Sequence, residues 1–314
     1  MKSLIENPIK RLPLVKQLYS EIKQLHTQIN NLQSSIKQYQ LGWPPGHFYS
    51  PIPSIEKIKD KEAEIFGNIP KEILGVDLNE AEQLGLLTEF KSYYAQQPFK
   101  EQKTDNLRYF FDNPNYSYGE AIILYSMIRH IQPKKIIEIG SGYSSCVMLD
   151  TNEMFFNNEI LCTFIEPYPE LLLSLIKHSD VDRIKIIPNN LQDIELSNFS
   201  SLNAGDILFI DSTHVSKIDS DVNHIFFRIL PHIKSGVYIH LHDIYYPFEY
   251  PKEWVYQGRA WNEAYLLRAF LQYNSAFKIV YFNSFIGHLY RDRLQNEMPL
   301  CGQHAGSSIW IKKI

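Results

Sequence analysis

The chain has 314 residues, 44% of them apolar and 21% charged, which is enough material for a real core and excludes disorder as the main state. Lys plus Arg number 31 against 35 Asp plus Glu, a net charge of −4, so no basic face for a nucleic-acid partner is expected. The three cysteines, Cys146, Cys162 and Cys301, are few, odd in number and far apart, which suits reduced thiols in a cytoplasm rather than a disulfide framework. There is no apolar run of the roughly 18 residues a membrane span needs. The start, MKSLIENPIKRLPLVK, is broken by Pro8 and Pro13 and lacks a signal-peptide core. The expectation is a cytoplasmic protein without a membrane span.

Residues 14–40 contain neither Gly nor Pro. Val15, Ile22, Ile29 and Ile36 recur every seven residues, and Leu18, Leu25, Leu32 and Tyr39 follow three residues behind them. β-Branched residues at a with mostly Leu at d is the pattern of a parallel two-stranded coiled coil. The e and g positions are mostly uncharged and enforce little orientation. The expectation is a homo-oligomer, a dimer through this helix, with an amphipathic helix folded on its own domain as the alternative. Residues 41–54, LGWPPGHFYSPIPS, cannot continue a helix. With Trp43, Phe48 and Tyr49 they read as an ordered connector packed on the following domain near its site. Residues 55–115 read as short helices, IEKIKDKEAEIF and NEAEQLGLLTEFKSYYAQQ, separated by polar turns.

From residue 118 helices and strands alternate. The strands are KKIIEIG, ILCTFIEP, RIKIIP, LFIDS, GVYIHLHDI, FKIVYF and SSIWIKKI, with helices such as GEAIILYSMIRHI and DVNHIFFRILPHI between them. This is the pattern of an α/β fold: a doubly wound, Rossmann-like, mostly parallel sheet of seven strands, with helices on both faces. The domain reading is 1–40 for the amphipathic helix, 41–117 for the connector and helical region, and 118–314 for the α/β domain. Ligands of such sheets sit beyond the carboxyl ends of the strands.

At the end of the first strand stands Glu138-Ile139-Gly140-Ser141-Gly142. Gly140 permits a tight turn, and Gly142 lets a ligand approach the backbone at the start of a helix. The pattern alone suits a nicotinamide cofactor equally well. The second strand ends in Glu166, 28 residues beyond Glu138, placed to accept hydrogen bonds from a ribose diol; a nicotinamide fingerprint expects its acid about 20 residues on. The fourth strand ends in Asp211 and His214, the fifth in His240, His242 and Asp243. In a parallel sheet these residues share one edge with the glycine turn. Imidazole and carboxylate donors gathered there can hold a divalent cation, and a histidine beside a strand-end aspartate can act as general base. His240 reads as a core residue. Lys217, Arg259, Trp261, Asn262 and Glu263 are candidates for an acceptor pocket, and PFEYPKEWVYQGRAWNEAY for a substrate loop.

The acid-x-Gly-x-Gly turn, with Glu166 after the second strand and an antiparallel last strand, resembles the class I S-adenosylmethionine-dependent methyltransferases over about residues 118–314. The resemblance implies that Glu138, Gly140 and Gly142 surround the methionine part of the cofactor. It also implies that Glu166 holds the ribose and that Gln192 or Asp193 lies near the adenine. Asp211 and His214 resemble the Asp-x-x-His of metal-dependent O-methyltransferases that act on macrolide sugars. That likeness implies a metal on Asp211, His242 and Asp243, with His214 as base. His242 stands where those enzymes have an acid, which opens the choice between magnesium and manganese. The connector, HDI and WNEAYLLRAFL segments resemble a broad bacterial family, Methyltransf_24-like. The implied function is O-methylation of a hydroxyl on a sugar or other small-molecule acceptor. A nicotinamide-dependent oxidoreductase, another metal-dependent enzyme and an assembly protein are the alternatives.

Overall fold

The computed structural model describes residues 13–39 and 42–314. Residues 1–12, on which the lack of a leader was read, lie outside the described residues, as do 40 and 41. The chain divides into two compact units at Lys61 and Glu62.

In the first unit, Pro13–Tyr39 is one uninterrupted helix. The a and d side chains from Leu18 to Ile36 form an apolar stripe along it, each 49–62% exposed. Beyond it the connector is ordered by its own contacts. Gly46 donates its N–H to the carbonyl of Ile52 (2.9 Å), and the Trp43 and His47 rings stack at 4.1 Å. Ser54 then caps the helix Ile55–Asp60 by accepting from the N–H of Lys57.

The second unit carries the sheet. Its strands are β1 (Lys135–Ile139), β2 (Leu161–Ile165), β3 (Lys185–Ile187), β4 (Ile207–Ile210), β5 (Tyr238–Leu241), β6 (Phe277–Phe282) and β7 (Ile309–Lys313). They lie in the order β3-β2-β1-β4-β5-β7-β6. The first five are parallel, and β7 enters antiparallel to both β5 and β6. The register places Ile139 beside Ile165 on one side and Ile210 on the other, so the carboxyl ends of β2, β1 and β4 finish level. The chain winds outward in both directions from β1, which puts the switch point between β1 and β4.

Short strands of this kind are apolar throughout because helices cover both faces; all of β4 is buried. Tyr118–Ile131 is buried from Gly119 to Ile128, an apolar helix wedged under the sheet. It ends with Gln132 in the left-handed conformation ahead of Pro133, which cannot continue a helix. The β6 and β7 strands pair as the sequence suggests, but the connection between them holds three further helices, Asn283–Leu289, Arg291–Glu297 and Pro299–Gln303. All three cysteines are free and buried. No helix among the described residues is long and apolar enough to cross a membrane.

Arg108 fastens the segment ahead of the sheet. Its guanidinium lies within 2.7 Å of Asp150, Glu153 and Asp180, and Asp150 also accepts the backbone N–H of Arg108 and Tyr109. Arg108, Asp150 and Asp180 are all buried.

Candidate active site

The turn after β1 is built as much against β4 as toward a ligand. Gly140 has φ +77°, and a Cβ there would stand 2.1 Å from the carbonyl oxygen of Asp211, so only glycine fits. Gly142 is extended and opens the helix Tyr143–Phe155. Glu138 lies beneath the turn, fully buried, and its two oxygens accept from the hydroxyls of Ser144 and Ser145. Burial raises its pKa from 4.5 to about 8 in spite of those two bonds. Glu166 is half-buried at the end of β2. One of its oxygens accepts from the N–H of Ser141 (3.1 Å) and the other from Tyr168 (2.8 Å). It is thereby fixed in direction with lone pairs to spare. Gln192 and Asp193 sit on a short 3₁₀ turn after β3, where Gln192 donates to the carbonyl of Asp219 and Asp193 is exposed.

At the ends of β4 and β5, His214 and Asp243 both adopt the left-handed backbone, φ +60° and +55°. Non-glycine residues rarely do so unless the surroundings impose it. Here they turn their side chains toward each other, with His214 Nε2 3.6 Å from Asp243 and 3.4 Å from Asp211. The opposite ring nitrogen, Nδ1, lies 2.8 Å from Glu263, whose carboxylate is buried and also accepts from Ser212. The Trp261 ring covers the imidazole at 4.4 Å. Burial disfavours the imidazolium, but the bonds to Asp211 and Glu263 outweigh it and raise the pKa to about 10. Asp211 is held below its ordinary value, against burial, by the charge of His242 and the bond to His214.

His242 faces a second set of acids. Donor atoms of Glu120, His242 and Asp243 all lie within 4.8 Å of one another. The Ser307 hydroxyl stands 2.8 Å from Glu120 and 3.0 Å from Asp243, and the ring of Tyr116 packs on His242 at 5.3 Å. Burial works against a charged His242, yet Asp243, Glu120 and Asp211 raise its pKa to about 9. The buried Nδ1 of His242 has no hydrogen-bond partner. His240 stacks on Phe209 at 3.9 Å with both ring nitrogens buried and unpartnered, and burial drives its pKa well below normal, so it is a neutral core residue.

Glu120, Asp211, His242 and Asp243 line one cavity of about 620 Å³, together with Trp254, Arg259 and Ser307. Asp211, His242 and Asp243 share this cavity as the sequence suggested, while the Asp211 carboxylate is turned toward His214 and Glu120 completes the triangle. Glu120 went unseen in the sequence, although a single acid at the head of the apolar run AIILY was a signal. Ser307 reaches the site because Gly306, with φ +92°, packs against Glu120 where a Cβ would lie 2.5 Å from Cγ. Of the other pocket candidates, Lys217 is exposed and Asn262 bonds the backbone of Ser216 at both ends of its amide.

A five-stranded parallel run with β7 inserted between β5 and β6, and a candidate site along the ends of β1, β2, β4 and β5, makes this a doubly wound, Rossmann-like α/β fold. The family Methyltransf_24, a methyltransferase domain, matches residues 137–244. An uncharacterized protein of Archaeoglobus fulgidus is 37% identical over 165 residues, 51% of this chain and 73% of that protein. Over residues 137–244 the chain is a methyltransferase domain of the Methyltransf_24 family. Among solved structures, the S-adenosylhomocysteine-bound methyltransferase PaMTH1 of Podospora anserina is 15% identical, covering 87% of this chain and 100% of that one, with a TM-score of 0.43. A magnesium–S-adenosylmethionine structure of CmcI is 14% identical, covering 71% and 84%, with a TM-score of 0.40.

Proposed function

We propose that the protein transfers the methyl group of S-adenosylmethionine to a hydroxyl oxygen of a small acceptor, with a divalent cation beside the acceptor. The observation that carries this reading is the meeting, in one cavity at the carboxyl ends of β4 and β5, of Asp211, His242 and Asp243 with Glu120. The sulfonium donor is already activated, so the protein's task is alignment.

On the cofactor side, Glu166 suits the ribose diol because its carboxylate is fixed by two backbone amides and is still half-exposed. Gly140 and Gly142 keep the turn free of side chains above it. Glu138, whose oxygens are taken up by Ser144 and Ser145, shapes the turn near the methionine end. Gln192 and Asp193 are assigned to the adenine side.

On the acceptor side, the orphaned Nδ1 of His242 and the mixed nitrogen–oxygen donor set fit a borderline divalent ion such as manganese better than magnesium, which prefers oxygen. Glu120, His242 and Asp243 would hold it, with Asp211 alongside. Such an ion lowers the pKa of a bound hydroxyl and fixes its position. His214 presents Nε2 to the cavity side and is held from behind by Glu263. His214 would take up the acceptor proton through Nε2 from its neutral form, which Asp211 and Glu263 disfavour in the absence of a cation.

The test is calorimetric titration with S-adenosylmethionine, repeated after chelation and with added manganese. Micromolar binding that survives chelation, and manganese binding weakened by His242→Ala, are the expected results. No cofactor binding under any condition overturns the reading.

The helix Pro13–Tyr39 supports self-association. Its a and d side chains form an exposed Ile/Leu stripe about 30 Å long at 1.5 Å per residue, and apart from Tyr19 the exposed residues on its other faces are polar. The occupant that matches such a seam is a second copy of the same helix in parallel.

A further inference from the structure

Arg259 is the arginine of the cavity wall, and two indoles hold it. Its guanidinium lies 4.3 Å from the ring centre of Trp254 and 5.1 Å from that of Trp261, and no carboxylate among the described residues forms an ion pair with it. Its backbone N–H donates to the carbonyl of Trp254 (3.1 Å), and Gly258, at φ +84°, turns the chain just before it. Arg108 shows the contrast: there the same group is buried among three carboxylates. Had Arg259 served to balance Glu120, Asp211 and Asp243, which line the same cavity, it would lie against one of them. Instead the indoles take up the flat face of the guanidinium. A stacked guanidinium keeps its in-plane N–H groups for an oxyanion.

We infer that the acceptor is itself anionic and that Arg259 binds its carboxylate or phosphate; this rests on the methyltransferase reading. One end of the cavity, at Asp211 and Asp243, attracts cations and suits a hydroxyl beside a metal. The aromatic end, at Trp254, Tyr245 and Arg259, suits a ring with an attached anion. A volume of about 620 Å³ accommodates a monosaccharide acid or phosphate spanning both ends.

The experiment uses the full chain with S-adenosylhomocysteine present and follows tryptophan fluorescence during titration with glucose, glucuronate and glucose 6-phosphate. The expected result is binding of at least one anionic sugar roughly tenfold tighter than glucose. Arg259→Gln should abolish that preference and Arg259→Lys should keep part of it. A preference for glucuronate alone or for glucose 6-phosphate alone assigns the anion as carboxylate or phosphate. Equal binding of all three sugars, or a preference that survives Arg259→Gln, overturns the inference. Titration of the same proteins with S-adenosylmethionine keeps the two questions apart. Cofactor binding without anion preference refutes only the role of Arg259, whereas loss of cofactor binding in the unsubstituted chain refutes the enzyme class.

Discussion

Glu263 stands 2.8 Å behind Nδ1 of His214, so the imidazole, on the loop after β4, is aimed at Asp211 and Asp243 by a carboxylate from the start of the helix Glu263–Leu271. The attachment is double, since the carbonyl of His214 also accepts the N–H groups of Asn262 and Glu263. Glu263 is therefore a positioning residue. Glu263→Gln should lower kcat by about 10–100-fold, the usual cost of removing a carboxylate that orients a working histidine. Affinity for S-adenosylmethionine should stay unchanged, and Glu263→Ala should be worse than Gln. Steady-state kinetics alongside cofactor titration checks this, and a change confined to KM would refute it.

Glu138 makes a prediction about pH. Its pKa of about 8 in the folded protein stands above the ordinary 4.5, so between those values the folded form keeps a proton that the unfolded chain has released. The stability it contributes is full below about pH 4.5 and is lost as pH rises through about 8. Glu138→Gln should remove this slope, an effect of a few kcal/mol at most at about 1.4 kcal/mol per unit. Thermal melts of both proteins at pH 5, 6.5 and 8 provide the comparison. Parallel curves would show that Glu138 is ionised throughout.

Arg108→Met should destabilise the protein strongly, by roughly 3–5 kcal/mol, because it leaves Asp150 and Asp180 buried with backbone N–H donors but no cation opposite them. Adding Asp150→Asn and Asp180→Asn to the same variant should restore part of the loss. Urea unfolding measures both. A loss under about 1 kcal/mol in the single variant would mean that water reaches these carboxylates.

The paired substitutions Leu25→Asp and Ile29→Asp place charges in the middle of the stripe on Pro13–Tyr39. An isolated helix of this composition is marginal in water, so loss of the partner should also cost helicity. Light scattering should report a dimer that becomes a monomer, and circular dichroism should fall with it. A mass that the substitutions leave unchanged would sink the coiled coil.

The strands were legible because runs such as LFI and KIIEI are buried on both faces and bounded by turn residues, a signal carried within a few positions. The site was legible only where strand ends carry it, as at Asp211, His242 and Asp243. Glu120 and Ser307 meet across 187 positions, and no local pattern announces that contact. Glu263 was visible as a polar residue after an irregular loop, but its bond to His214 depends on the left-handed turn at His214, which nothing in STH advertises. The helices in residues 283–308 were hidden for another reason: aromatic and apolar residues such as Phe285, Ile286, Leu294 and Met298 face the core from turns too short to show a clear period.

The last strand in the chain is not last in the sheet. Residues 309–313 fill the gap between β5 and β6, and Ser307, just before them, completes the ring of donors around Glu120 and Asp243. Without that segment β5 presents a bare edge, and β6 has no strand to pair with. The donors around Glu120 and Asp243 are therefore brought together by segments far apart in the sequence, whereas the glycine turn and Glu166 rest on β1, β2 and β4, which lie closer together in it. Inserting β7 between β5 and β6 thus ties this part of the site to long-range pairing, the kind of contact that costs most chain entropy to close.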